Sequence, residues 1–196
     1  MQVSSTGLNW TPESLTKRYA VLRKAGADLR LDLLYYPYWV IGVQGEARGR
    51  WFPPRFLEEV SAVDAREGKV YHIVGFPEVT EENIVEGSAV KVLPISIECQ
   101  EAKERAIAGV LKNWTRKFSH PLRPRLEVKT GKVDILAVYK PFWIASGSPK
   151  PSGGFMVIDS TTGLAGLAEH KPIAMAWLAL ASTSQLAGNC GREPGF

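Results

Sequence analysis

Cysteine and histidine are scarce in this chain. Its 196 residues hold two cysteines, Cys99 and Cys190, and three histidines, His72, His120 and His170. Two thiols form neither a disulfide framework nor, by themselves, a metal site. No two histidines lie three to five residues apart, and neither cysteine neighbours one, so the usual zinc spacings are missing. Long hydrophobic runs are missing too. The longest nearly uncharged stretch is residues 172–182, PIAMAWLALAS, well short of the roughly 20 residues of a spanning helix. The opening MQVSSTGLNW has no basic start followed by an apolar stretch, so no signal peptide is expected and the reading leans towards the cytoplasm. Neither a Gly-x-Ser-x-Gly elbow nor phosphate-loop spacing occurs. Cys99 falls near the start of a predicted helix, where a thiol can become reactive. Its neighbours Glu98, Glu101 and Glu104 oppose the thiolate, and a buried or inert cysteine is the simpler account. No catalytic residue, metal or cofactor is therefore expected.

What is present suffices for a folded core. Hydrophobic residues make up 45% and charged residues 22%, which places the chain outside the disordered class. The length allows one domain or two of about 100 residues. The net charge of +4 hides a segregation. Residues 56–104 carry eleven acids against four bases, and residues 112–132 carry seven bases against one acid. The basic stretch, with Lys112, Arg116, Lys117, Arg123 and Arg125, could attract an anionic partner such as nucleic acid, attract another part of the chain, or form a solvated face. Trp114 and Phe118 interleave with it, but at helical spacing they fall on the apolar side. That leaves a phosphate-attracting patch without a stacking platform.

An internal repeat organises the chain. Tyr35-Tyr36-Pro37-Tyr38-Trp39-Val40 matches Tyr139-Lys140-Pro141-Phe142-Trp143-Ile144, and Ala62-Val63-Asp64 through Gly68 matches Val157-Ile158-Asp159 through Gly163. The tryptophan and the aspartate are 25 residues apart in the first copy and 16 in the second. A variable loop accounts for the difference, GVQGEARGRWFPP against SGSPKPSGG. A helix precedes each copy. The first begins at Thr11-Pro12-Glu13, an N-cap followed by a first-position proline, and runs to Gly26. The second begins near Ser96 or Ile97, carries the apolar stripe Ala106, Ile107, Val110, Leu111, Trp114 and Phe118, and stops at Pro121. Residues 29–43 and 132–145 read as strands. The proline inside each predicts an edge, a bulge or a break. Asp64 to Gly68 and Asp159 to Gly163 read as hairpin turns, with the Asp bonding backbone amides and the Gly at positive φ. Residues 69–76 and 164–169 are the return strands, Thr130-Gly131 is a further turn, and residues 89–95 offer a strand. Residues 171–181 fit a helix or a last strand equally.

These spacings predict an α+β fold of two tandem helix-plus-antiparallel-meander units, open to a pseudo-two-fold relation. Unit one covers 10–76, an acidic connector 77–95, unit two 96–170, and a C-terminal segment with a mobile tail 171–196.

The repeated apolar-Asp-x-x-x-Gly closure resembles the PepSY-like domains and the wider cystatin-like α+β group. The residues carrying the resemblance are Val63-Asp64 with Gly68-Lys69-Val70, and Ile158-Asp159 with Thr162-Gly163-Leu164. The family pattern is Val-Asp-x-x-Thr-Gly-x-Val. The second copy keeps its threonine as Thr162, and the first has Glu67 there. The resemblance implies a non-catalytic module that binds or restrains another protein, often outside the cytoplasm. It transfers no catalytic residue. The leading expectation is thus a non-enzymatic binding or regulatory module for a protein or peptide. Strand addition at an open sheet edge is one mode. Nucleic-acid binding through residues 112–132 is the alternative, and an enzyme whose site gathers residues distant in sequence ranks last. In the repeated aromatic element, alternate residues face opposite sides of a strand. Tyr36, Tyr38, Lys140 and Phe142 are the candidate binding residues if their face is a surface. The competing account is that the repeated element anchors each helix to its sheet.

Overall fold

In the computed structural model, residues 1–19, 22, 30–49, 52–87, 89–118, 127–146, 155–166 and 170–189 are described. Among them the elements run β1 (Gln2–Ser5), α1 (Pro12–Arg18), β2 (Arg30–Gly49), β3 (Phe52–Asp64), β4 (Val70–Ile73), β5 (Thr80–Asn83), β6 (Val90–Val92), α2 (Cys99–Phe118), β7 (Glu127–Ser146), β8 (Met156–Asp159) and α3 (Lys171–Asn189). The strands form a mixed sheet in the order β4-β3-β2-β7-β1-β5, with β6 joined to β2 and β8 to β7. The β1–β7 and β2–β6 pairs are parallel and the others with a resolved register antiparallel. This overturns the expected fold class. The chain is mainly β, in one mixed sheet, and does not divide into two tandem helix-plus-meander units.

Two compact units do form, each from three separated segments. Unit 1 comprises Met1–Thr6, Pro37–Ile84 and Leu93–Lys140, and unit 2 comprises Gly7–Tyr36, Val85–Val92 and Pro141–Phe196. Each unit therefore combines a helix from one copy of the repeat with the hairpin of the other. The two repeated prolines, Pro37 and Pro141, open segments of these units. Neither breaks its strand, because each sits where the strand changes partner. β2 pairs with β6 over Leu33 to Tyr35 and with β3 from Tyr38 onwards, while β7 pairs with β1 at Tyr139 and with β8 from Phe142. A missing N–H costs nothing at such a point. The free carbonyls are used: Pro37 O accepts from the Ala65 amide at 3.2 Å, and Pro141 O from the Ser160 amide at 3.3 Å and its hydroxyl at 2.7 Å.

In unit 1, α2 lies across β2, β3 and β4. Ala102, Ala106, Val110 and Trp114 come from successive turns of the helix and bury against Ile41, Val43 and Val63 of the sheet. Ile107 and Leu111 close the margin of the same core. Trp39 donates its indole N–H to Ile97 O at 2.8 Å, tying the start of the helix to the sheet. Gly45 lets Trp114 approach, for a Cβ there would meet the indole at 2.6 Å. On the opposite sheet face Val40, Val60 and Val138 form a smaller cluster with Ile73, Val79 and Leu136 at its margin. In unit 2, Trp143 donates to Trp10 O at 2.8 Å, and Tyr19 donates its hydroxyl to Gly163 O at 2.6 Å. α1 begins at a capping box in which Thr11 and Ser14 bond each other's backbone amides, with Pro12 next. The predicted helix is interrupted: Tyr19 is extended, and Leu22 is again helical, its amide donating to Tyr19 O at 3.0 Å. Gly26 lies outside the described residues.

The hairpin turns have matching geometry. Asp64 Oδ1 accepts from the amides of Arg66 at 2.8 Å and Glu67 at 2.9 Å; Asp159 Oδ1 accepts from Thr161 at 2.8 Å and Thr162 at 3.3 Å. Gly68 and Gly163 take φ of 73° and 66°, the conformation that closes each turn at least cost. Other expectations fail. Thr130-Gly131 is no turn, because β7 runs straight through it. Residues 44–49 and 52–54 are no loop but the distal part of the β2–β3 ladder, with a register shift between Ala47 and Gly49. α3 settles residues 171–181 as helix and continues past Ser182 to Asn189. The rest of the tail lies outside the described residues.

Candidate functional site

β4 is an edge strand and it is short. Its pairing with β3 starts at Val63 with Val70 and ends at Val60 with Ile73. The chain then leaves the edge and crosses to the face away from α2, where the Phe76 ring covers Gly42 closely enough that a Cβ would meet it at 2.6 Å. β3 itself reaches back to Phe52. Its outer side is therefore bare of a described strand from Phe52 to Glu59.

The direction of each backbone group follows from the turn. The Asp64 amide donates to Lys69 O at 2.9 Å, and Asp64 O accepts from Gly68 at 2.8 Å, so the backbone groups of Asp64 point at β4. Alternation along an antiparallel strand carries the same direction to Ala62, Val60, Glu58 and Phe56. Ala62 and Val60 find β4. Glu58 and Phe56 present N–H and C=O outward with no described strand opposite. Pro53 and Pro54 follow, where the β2–β3 register shifts; neither has an N–H, and they limit the slot.

Side chains around the slot divide by face. Even-numbered residues of β3 lie on the face away from α2, where Phe56 is 89% exposed. Odd-numbered residues face α2. Leu57 packs at the helix core and Glu59 reaches Asn113 at 2.6 Å. Glu59 also meets His72 Nδ1 at 2.6 Å and Lys117 Nζ at 3.6 Å. This cluster has acid, imidazole and ammonium together, yet among the described residues no nucleophile joins it. Ser61 is opposite His72 in register, but it is fully buried and its hydroxyl bonds no other group. The cluster clamps β3, β4 and α2 together rather than forming a relay. Among the described residues no three histidine, cysteine, aspartate or glutamate side chains could hold a metal ion.

The direction of α2 places its basic end beside the slot. The segment leading into the helix is fixed at Ala65 O by the amides of Ser96 and Ile97. Arg105 reaches Gly68 O at 3.1 Å, Gly109 abuts Val70, and Asn113 reaches Glu59. Residues 105, 109, 112 and 116 share this side of a 3.6-residue helix. Lys112 and Arg116 thus stand on the β4 side, exposed, past the end of β4. Neither has an ion pair among the described residues. Their place in the last turns also suits the helix dipole.

The sequence-predicted residues fare differently. Tyr36 and Phe142 are each 1% exposed and belong to the core, so they offer no binding surface. Phe142 packs edge-on against His170 with ring centroids 5.4 Å apart. Tyr38 and Lys140 are half-buried. Lys112, Arg116 and Lys117 are exposed on α2, and Lys117 is engaged by Glu59. Arg123 and Arg125 lie outside the described residues. Trp114 is buried against Gly45, so it is not available to stack on a base. Cys99 is the exposed first residue of α2. No helix among the described residues is long and apolar enough to cross a membrane. Sequence reading missed Phe56 and Glu58. The run Phe56 to Val63 ahead of Asp64 is the strand a hairpin turn requires, and the pair Pro53-Pro54 marks its open end. Compared with known protein families, characterised proteins and solved structures, the chain matches none.

Proposed function

We propose that this protein is a non-enzymatic binding or regulatory module that takes an extended protein or peptide segment along the outer edge of β3. The observation that carries the reading is the pair of residues Phe56 and Glu58, whose backbone groups face outward beyond the end of β4 with no described strand opposite. An incoming strand gains main-chain hydrogen bonds there, and its side chains alternate between the α2 side and the Phe56 side. Strand addition also covers an edge that otherwise invites aggregation. The PepSY-like resemblance of the two Asp-to-Gly turns points to the same class, a module that holds another protein.

The test is peptide selection against the full chain from a library of extended octapeptides, followed by amide hydrogen exchange. Selected peptides are expected to slow exchange at Phe56 and Glu58. Replacing Glu58 by proline removes one outward N–H without touching the β2 ladder, and should weaken those peptides at least tenfold. Selected peptides that leave both amides unprotected would defeat the proposal. An empty selection would defeat it as well.

A further inference from the structure

We infer that the segment received at the β3 edge is acidic on one face: an extended peptide of another protein, antiparallel to β3 and in line with β4, with carboxylates at alternate positions beside Lys112 and Arg116. The inference rests on the strand-addition reading and specifies its ligand. It joins two features that sequence reading kept apart, the basic stretch and the open edge.

The α2 side of the slot is positive. Lys112 and Arg116 border it from the helix. Arg55, an exposed odd-numbered residue of β3, borders it from below on the same face by alternation. The acid nearby on this face, Glu59, is already engaged with His72, Asn113 and Lys117. Carboxylates of a docked strand on this side would meet three cations that have no ion pair among the described residues. The other side differs. Phe56 is exposed there, and Glu58 follows it on the same face. Apolar residues fit against Phe56, and a carboxylate would be repelled by Glu58. The slot thus asks for acid and apolar residues in alternation, not for uniform negative charge. Its span is short, since Pro54 ends it on one side and the Val60 pairing with Ile73 on the other. A nucleic-acid strand would satisfy the cations but neither the outward N–H groups nor Phe56 through a paired backbone.

Four synthetic octapeptides test this on the full chain: alternating Glu/Val, alternating Gln/Val, alternating Lys/Val, and eight glutamates. Binding is titrated at 25 mM and 500 mM salt, with exchange at Phe56 and Glu58 read in parallel. The Glu/Val peptide should bind about tenfold more tightly than Gln/Val at low salt, as expected for two exposed ion pairs, and Lys/Val should bind most weakly. High salt and the Lys112→Gln, Arg116→Gln double variant should each close the gap between Glu/Val and Gln/Val. Equal binding by Glu/Val and Gln/Val, with both amides protected, would overturn the acidic ligand and leave the strand-addition reading standing. No protection by any peptide would remove both. Octaglutamate or a single-stranded oligonucleotide binding as tightly as Glu/Val without protecting Phe56 would show a general anion patch and overturn the inference. So would a concentration-dependent dimer of the free protein that protects the same two amides, because the edge would then be filled by a second copy.

Discussion

Replacing Gly68 or Gly163 by alanine puts one methyl group into two turns of the same backbone shape, with different neighbours. Both glycines have positive φ, 73° and 66°. An L-residue there costs about 1–2 kcal/mol, partly offset by about 0.4–1 kcal/mol from the stiffer unfolded chain. The backbone term is thus roughly 1 kcal/mol at both sites. At Gly68 the methyl meets the guanidinium end of Arg105, a half-exposed side chain that can swing away at small cost. At Gly163 it meets the indole of Trp10. That ring is bulkier and has less room to move aside. Its residue is held by the Trp10 amide on Ser160 O at 3.1 Å, by Trp143 on the Trp10 carbonyl at 2.8 Å, and by the Arg18 guanidinium stacked 4.7 Å from the ring centre. Overpacking against a large ring so held adds about 1–3 kcal/mol. The expected losses are therefore about 1 kcal/mol for Gly68→Ala and about 2–4 kcal/mol for Gly163→Ala. With a urea slope of about 2 kcal/mol/M, the unfolding midpoint falls by about 0.5 M and about 1–2 M respectively. Urea titration followed by circular dichroism measures both. The clash has its own signature, because Trp10→Ala should cost less in the Gly163→Ala background than alone. Equal midpoint losses at the two glycines, or additive behaviour with Trp10, would refute the reasoning.

Two further outcomes follow from the same turns and from the sheet. Asp64→Ala and Asp159→Ala each strip a charged acceptor from two backbone amides, at about 1.5–3 kcal/mol per well-made bond before water re-solvates the freed N–H groups. Asp64→Ala should cost more, because its second bond is 2.9 Å against 3.3 Å for Asp159; the urea midpoints of the two variants compare them directly. Burial pushes the Tyr139 hydroxyl above its ordinary value. The neutral form is thus favoured in the fold, so this contribution is fully present below about pH 10 and is lost as pH rises through the raised folded value. Tyr139→Phe should therefore lose less stability than the parent chain between pH 9 and pH 11, and an equal loss in both would show that Tyr139 does not carry the alkaline sensitivity.

Local chemistry was legible in the amino-acid sequence. Thr11 and Pro12 start a helix because a side-chain oxygen and a missing N–H suit the orphan amides of a first turn. The stripe Ala106, Val110 and Trp114 fixes which side of α2 is buried, because the period of a helix is set within one turn. Asp64 with Gly68, and Asp159 with Gly163, close turns through bonds made inside five residues. The charge split between residues 56–104 and 112–132 was equally plain. Tertiary structure decided the rest. Whether Pro37 and Pro141 break a strand depends on which strand lies beside them, and that partner is distant in sequence. The same holds for residues 44–49 and 52–54, read as a loop from Gly and Pro content, yet the distal part of a long ladder once β2 and β3 align. It also decided that each unit takes its helix from one copy and its hairpin from the other. Among the described residues the backbone of Phe56 and Glu58 is open because β4 stops at Ile73 and Phe76 is drawn over Gly42. An edge is the absence of a neighbour, and pairing between distant residues is a property of packing that no local pattern encodes.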